Sequence, residues 1–385
     1  MSMNIQERLA EAAVATKLEG RPMEGLRLGP LEKVYVIWLA GASCDGCSIA
    51  VLGATNPKVE DLLAGLVPGL PRLVLSHTAL SVESGQDYLA TLHKAGRGEL
   101  DAPYVVVLEG SVPDERIAQK TGGFFIAIGE EGGKPIPTAE WITRLAPRAA
   151  AMIAIGTCAT WGGVPAAEGN ATGAMGLMDF VGKDYRSAFG LPIVNVPGCS
   201  PVGDNFMETV AAVLLFLQGL APLPELDELG RPAWIYGETV HRNCPRAGYY
   251  EEGVFAKEYG GKECLVELGC WGPVVQCNIS SRGMINGIGG CMNMGGICIG
   301  CTMPGFPDKF SPIYSKPPGA EVSALVAKRI AGTLIKPLRN LTQRDKNRSI
   351  RWERDVPSGW SAEKAAPSAA ERVIEYFYTR IQKSR

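Results

Sequence analysis

Three apolar runs in the first half of this chain end directly in cysteine. Val34–Leu39 leads into Gly41-Ala-Ser-Cys44-Asp-Gly-Cys47, Met152–Ile155 into Gly156-Thr-Cys158, and Ile193–Val196 into Pro197-Gly-Cys199. Two more short runs, Arg72–Leu75 and Tyr104–Leu108, share their β-branched or apolar character, and longer helix-compatible stretches separate all five. Strands buried on both faces, with connections long enough for helices, predict an α/β fold built on a parallel sheet. Such sheets gather ligands outside the carboxyl ends of their strands. Four thiols from three loops would therefore meet at one sheet edge, and the flanking Gly and Pro let the backbone turn tightly beside a bulky group. Scattered small core residues are the alternative, since free cysteine is often buried; four of them at strand ends weigh against it.

The chain has eleven cysteines and only three histidines in 385 residues. Seven of the thiols, Cys244, Cys264, Cys270, Cys277, Cys291, Cys298 and Cys301, crowd into a segment rich in Gly, Asn and Pro. So irregular a segment is expected to bury little apolar area by itself, and bound metal is the usual way to order one. The start, MSMNIQERLAEAAVATKLEG, has acidic residues, no apolar segment and no twin arginine. It reads as lacking a signal peptide, which gives a cytoplasmic, reducing compartment where disulfides are not expected. The net charge of −2 argues against general nucleic-acid binding. The longest apolar runs, such as Val210–Leu217, reach about half of a bilayer crossing.

Charge and cysteine divide the chain into three parts: 31–200, 201–315 and 316–385. Residues 321–385 hold 14 Lys/Arg against 7 Asp/Glu, and the remainder holds 24 against 33. The basic tail has no cysteine. Val322, Leu325, Val326, Ile330 and Leu334 recur at helical spacing, as do Val373, Ile374, Phe377, Tyr378 and Ile381, with the basic Arg344–Arg354 segment between them. Two amphipathic helices packing on protein are expected; peripheral docking to an anionic membrane, or to an acidic partner, is the alternative.

Thiolates suit zinc and iron–sulfur clusters alike. Structural zinc sites favour two close C-x2-C pairs. Here Cys44 and Cys47 form one pair whose partners lie more than a hundred residues away, and Cys298 and Cys301 form another without a second tight pair. Cluster ligands come from distant loops more readily, and imidazole can replace a thiolate. His241 stands in His241-Arg-Asn-Cys244, with Cys264 and Cys270 following. Eleven cysteines and His241 make twelve ligands, or three sets of four. His77 and His93 lack such a context and read as structural.

The order of these motifs resembles the small, iron–sulfur subunit of nickel–iron hydrogenases over about residues 31–315. The matching elements are CDGCS at 44–48, EGSVP at 109–113, GTCAT at 156–160, PGCSP at 197–201, HRNCPR at 241–246, Cys264-x5-Cys270, and CIGC at 298–301 followed by PGFPD. The resemblance implies a flavodoxin-like N-terminal domain and an irregular iron–sulfur-binding C-terminal domain. It implies a proximal 4Fe–4S cluster on Cys44, Cys47, Cys158 and Cys199, and a distal 4Fe–4S cluster on His241, Cys244, Cys264 and Cys270. A medial cluster would sit on Cys277, Cys298 and Cys301. Cys291 stands where the family's 3Fe–4S form has proline; as a fourth ligand it would make the medial centre 4Fe–4S, and as a free thiol it would leave it 3Fe–4S.

By the same resemblance the chain would conduct electrons from hydrogen oxidation on a partner large subunit to an acceptor protein or quinone pathway, in a heterodimer or a higher oligomer. No catalytic residue of its own is expected: it carries no dinucleotide fingerprint and no Walker loop. The family's usual Glu before the first cluster cysteine is Ser43 here, and no extra thiol stands at position 46. Asp45, inside the CxxC loop, reads as an exposed turn residue capping the next helix, with iron ligation as the other reading. A zinc-binding scaffold and the cluster subunit of a respiratory dehydrogenase are the rival functions.

Overall fold

A computed structural model describes residues 28–315. The tail helices and the basic segment expected beyond residue 320 lie outside the described residues.

All five expected runs are strands. They are β1 (Lys33–Ala40), β2 (Arg72–His77), β3 (Tyr104–Glu109), β6 (Ala151–Ile155) and β7 (Val194–Val196). They form one parallel sheet in the order β2-β1-β3-β6-β7. Counting only these strands, that is the 2-1-3-4-5 order of flavodoxin-like folds, whose order reverses between β1 and β3. A separate antiparallel hairpin, β4 (Ala127–Glu131) with β5 (Lys134–Pro137), was not expected. Its strands carry Glu and Pro where an apolar run would be sought. Its turn places Gly132 and Gly133 at positive φ, the geometry of a tight hairpin.

The sheet is covered on both sides because its side chains alternate. Ile37 and Leu39 of β1 face one core, with Leu92 of helix α2 (Gly85–Arg97) and Trp141 and Ile142 of α3 (Thr138–Leu145). Val36 and Trp38 face the other, with Phe206, Val210 and Leu214 of α5 (Gly203–Leu217). Each such fully buried side chain contributes about 1.5–3 kcal/mol. Helices α1 (Gly46–Leu52) and α4 (Gly156–Trp161) start at the carboxyl ends of β1 and β6, so the cysteine-bearing loops share one edge.

Beyond α5 the regular elements are short. The region nevertheless buries an apolar cluster of its own, including Val240, Leu265, Val275, Ile279, Phe306 and Phe310. Cys270 and Cys298 belong to that cluster. The expectation that this segment buries little by itself is corrected: the apolar residues are scattered singly between Gly and Cys, so no run betrays them.

Candidate metal centres

The loop after β1 is fixed by β3. Gly41 donates to the Glu109 carbonyl at 2.7 Å, and Ala42 bridges to Ser111. Cys44 is exposed, and Cys47 lies in the first turn of α1. Asp45 occupies the N-cap position with φ 59°, exposed, and its side chain caps nothing. The capping expectation is therefore corrected. The backbone N–H groups of Cys47 and Ser48 donate instead to Glu109 Oε1, at 2.9 and 3.2 Å. Glu109 is buried at the end of β3 and also accepts from Trp38 Nε1 at 3.1 Å and from the Ser48 hydroxyl. Ser48 Oγ in turn meets His77 Nε2 at 2.9 Å, while His77 Nδ1 accepts from Ala79 N–H. That assignment makes His77 the neutral Nε2–H tautomer, consistent with burial lowering its pKa. Sequence reasoning missed this network; its one trace is the acidic residue at the end of an otherwise apolar β3.

Cys158 comes from α4 and Cys199 from the loop after β7. Gly156 has φ +83°, and a Cβ there would collide with Cys47 Sγ. A Cβ at Gly163 would stand 2.8 Å from Cys158 Sγ. Thr157 joins the loops: its N–H donates to the Gly198 carbonyl at 3.0 Å, and its hydroxyl accepts from Gly198 N–H at 3.0 Å. Burial pushes the Cys158 thiol up to about 11, and repulsion from Cys199 and Cys44 adds to it. Burial raises Cys47 as well, with repulsion from Glu109 and the other three thiols. Four thiols thus lie within electrostatic reach, and a cation must supply the charge that makes them thiolates.

His241, Cys244, Cys264 and Cys270 line one cavity, together with Arg246. Burial lowers His241 to about 4, so its imidazole is neutral and able to ligate. It raises Cys244 and Cys264 to about 12. Arg246 braces the wall by donating to the Gly261 and Glu263 carbonyls at 2.6 and 2.9 Å.

Cys277, Cys291, Cys298 and Cys301 are the remaining four thiols. Burial raises Cys277 to about 12, and the charged form of Cys291 repels it further. Repulsion from Cys277 and then Cys291 adds to burial at Cys301; at Cys298 the largest repulsion comes from Cys270, ahead of Cys301 and Cys277, and at Cys291 it comes from Cys270. Two hydrogen bonds tie this group to its neighbours. The Thr157 hydroxyl donates to the Cys301 carbonyl, and Cys298 N–H donates to Cys270 Sγ at 3.3 Å. Trp161 Nε1 adds a bond to the Thr302 carbonyl at 3.3 Å. His93 is elsewhere, edge-on to Trp141 at 5.0 Å.

All eleven cysteines are free of disulfides. Among the described residues no group of three or more His, Cys, Asp or Glu converges as a single-ion site. Thiolates on one tetrahedral zinc would stand roughly 3.8 Å apart, given a Zn–S bond of about 2.3 Å. Glycines whose Cβ would press on Cys47 and Cys158 leave room beside those thiols, as an iron–sulfur cage requires.

Residues 44–213 match the family model for the 20 Kd subunit of NADH ubiquinone oxidoreductase. Residues 236–314 match that for the C-terminal part of the NiFe/NiFeSe hydrogenase small subunit. The periplasmic NiFeSe hydrogenase small subunit of Desulfomicrobium baculatum is 33% identical over 290 residues, covering 74% of this chain and 87% of its own. The chain belongs to the nickel–iron hydrogenase small subunits. An actinobacterial-type NiFe-hydrogenase structure from Ralstonia eutropha H16 aligns with a TM-score of 0.78 at 48% identity, covering 88% of this chain and 98% of that one. The small subunit is the electron-transfer, iron–sulfur chain of such an enzyme, whose active site lies on the large subunit. The first family match alone would suit a respiratory-dehydrogenase subunit; the second sets that rival, and the zinc scaffold, aside.

One expectation is overturned. The cytoplasmic location conflicts with relatives named as periplasmic subunits, that of D. baculatum and that of Solidesulfovibrio fructosivorans, 34% identical over 286 residues. That expectation rested on the composition of the first twenty residues alone, which does not fix a compartment.

Proposed function

We propose that the small subunit holds three clusters in series: proximal on Cys44, Cys47, Cys158 and Cys199, medial on Cys277, Cys291, Cys298 and Cys301, and distal on His241, Cys244, Cys264 and Cys270. The proximal and distal centres are 4Fe–4S, and the medial centre is 4Fe–4S with Cys291 as its fourth ligand. When bound, the clusters carry single electrons from hydrogen oxidation on the large subunit toward an acceptor protein or quinone pathway. The protein's part is to fix spacing and exclude water. Glu109 pins the Cys47 turn, and Arg246 braces the distal wall. The observation that carries the series is the pair of joints, Thr157 to Cys301 and Cys298 to Cys270, each linking one thiol set to the next. The test is Cys158→Ala in the assembled heterodimer, which is expected to lose hydrogen-dependent dye reduction with every acceptor. A normal rate would overturn the assignment of Cys158.

A further inference from the structure

Arg231 is 1% exposed, among the most deeply buried side chains of the described residues. A guanidinium taken so far from water is costly unless every donor is matched. Its Nε donates to Asp227 Oδ2 at 2.8 Å, and its backbone N–H donates to Asp227 Oδ1 at 2.9 Å. Nη2 also stands 2.8 Å from Asp227 Oδ2, so the carboxylate grips one edge of the guanidinium and the other edge is left to the thiol-bearing segments. Nη2 donates to Gln276 Oε1, and Nη1 approaches Met303 Sδ at 3.7 Å. The guanidinium also lies 5.3 Å from the centre of the Tyr236 ring.

Gln276 immediately precedes Cys277, and Met303 follows Cys301 by two residues. Thr302 Oγ1 closes the arrangement by donating to the Gln276 carbonyl at 2.8 Å. The cation is thus built between the two segments that carry Cys277 and Cys301. Its counter-ion Asp227 is the more exposed partner, at 19% of its side-chain surface against 2% for Arg231. Water screens the outer carboxylate better than the inner guanidinium. The less screened charge of the pair, beside Gln276 and Met303, is therefore the positive one.

We infer that Arg231 is a positioning residue for electron transfer, whose buried charge raises the reduction potential of the centre held by the medial thiols. Reduction adds a negative charge to a site already crowded with thiolates, and a fixed cation favours the reduced form. The inference rests on the medial ligand set proposed above.

The experiment is a redox titration of the intact heterodimer followed by electron paramagnetic resonance. Arg231→Met is expected to lower the medial midpoint by about 59 mV, a tenfold change in the oxidised-to-reduced ratio of a one-electron couple. Asp227→Asn removes the counter-charge but keeps the guanidinium, and is expected to raise the same midpoint. Proximal and distal midpoints stay in place in both. A mere brace would move the midpoint in one direction when either partner is lost. No shift, or shifts of the same sign, would overturn the inference; if Arg231→Met does not assemble, the sign of the Asp227→Asn shift decides. Cys277→Ser tests the ligand set separately: an unaltered medial signal in that variant would sink the set, whatever Arg231 does.

Discussion

The backbone N–H of Cys47 donates to the buried carboxylate of Glu109 at 2.9 Å, across 62 residues of sequence. Four donors in all reach Glu109, from Trp38, from Cys47, and from the backbone and hydroxyl of Ser48. The end of β3 thus supplies the cap that α1 lacks locally, and it holds the turn between Cys44 and Cys47 in one shape. Glu109→Gln keeps the volume but points amide hydrogens at the Trp38 and Ser48 donors. Leaving buried donors unmatched costs about 1–3 kcal/mol. Thermal unfolding of the heterodimer is expected to shift down; an unchanged midpoint would show that the cap matters little.

Gly156 is the tightest point of the proximal cradle. With φ +83° and Cys47 Sγ in the way, any side chain there is strained twice over. Gly156→Ala is expected to reduce iron and acid-labile sulfide by one cluster's worth per chain, leaving the medial and distal signals in place. Full iron content in the purified variant would argue that the loop can move aside.

Cys291 is exposed in the isolated chain; its charge acts on Cys277 and Cys301, and Cys270 is the thiol that acts on Cys291 itself. As the proposed fourth medial ligand it would make that centre 4Fe–4S and diamagnetic when oxidised. Cys291→Ala is expected to create the paramagnetic signal of an oxidised 3Fe–4S centre. The check is the spectrum of the oxidised protein before and after substitution; the same 3Fe–4S signal in the parent would make Cys291 a bystander.

Thr157 touches two thiol sets with one hydroxyl, accepting from Gly198 N–H and donating to the Cys301 carbonyl. Thr157→Val preserves shape and removes both bonds. Each is worth about 0.5–1.5 kcal/mol, and the stranded buried groups add to the loss. The magnetic interaction between the proximal and medial centres is expected to change in Thr157→Val and to return in Thr157→Ser. Equal spectra for all three proteins would remove Thr157 from the joint.

The sheet was legible because strands buried on both faces read as unbroken apolar runs, as Tyr104–Leu108 does, and because Cys44, Cys158 and Cys199 each follow one. The β4–β5 hairpin was not, since Glu130, Glu131 and Pro135 give it no apolar pattern. Nor was the path His77–Ser48–Glu109, whose members are 29 and 61 residues apart; reading His77 as structural missed that it supports the Cys47 turn. Asp45 shows the limit of local rules. It stands where a cap should, but its left-handed backbone leaves the role to a distant carboxylate. Arg231 looks like one more charge in a loop, and only packing reveals the thiol-bearing segments around it.

If this chain holds three electron-carrying centres in series, as proposed, hydrogen reduces all of them. Redox titration of the intact heterodimer under hydrogen, followed by electron paramagnetic resonance with iron and sulfide analysis, tests it most directly. Three separately titrating iron–sulfur centres, all reduced by hydrogen, are predicted. Stoichiometric zinc without acid-labile sulfide, or centres that hydrogen does not reduce, would contradict it.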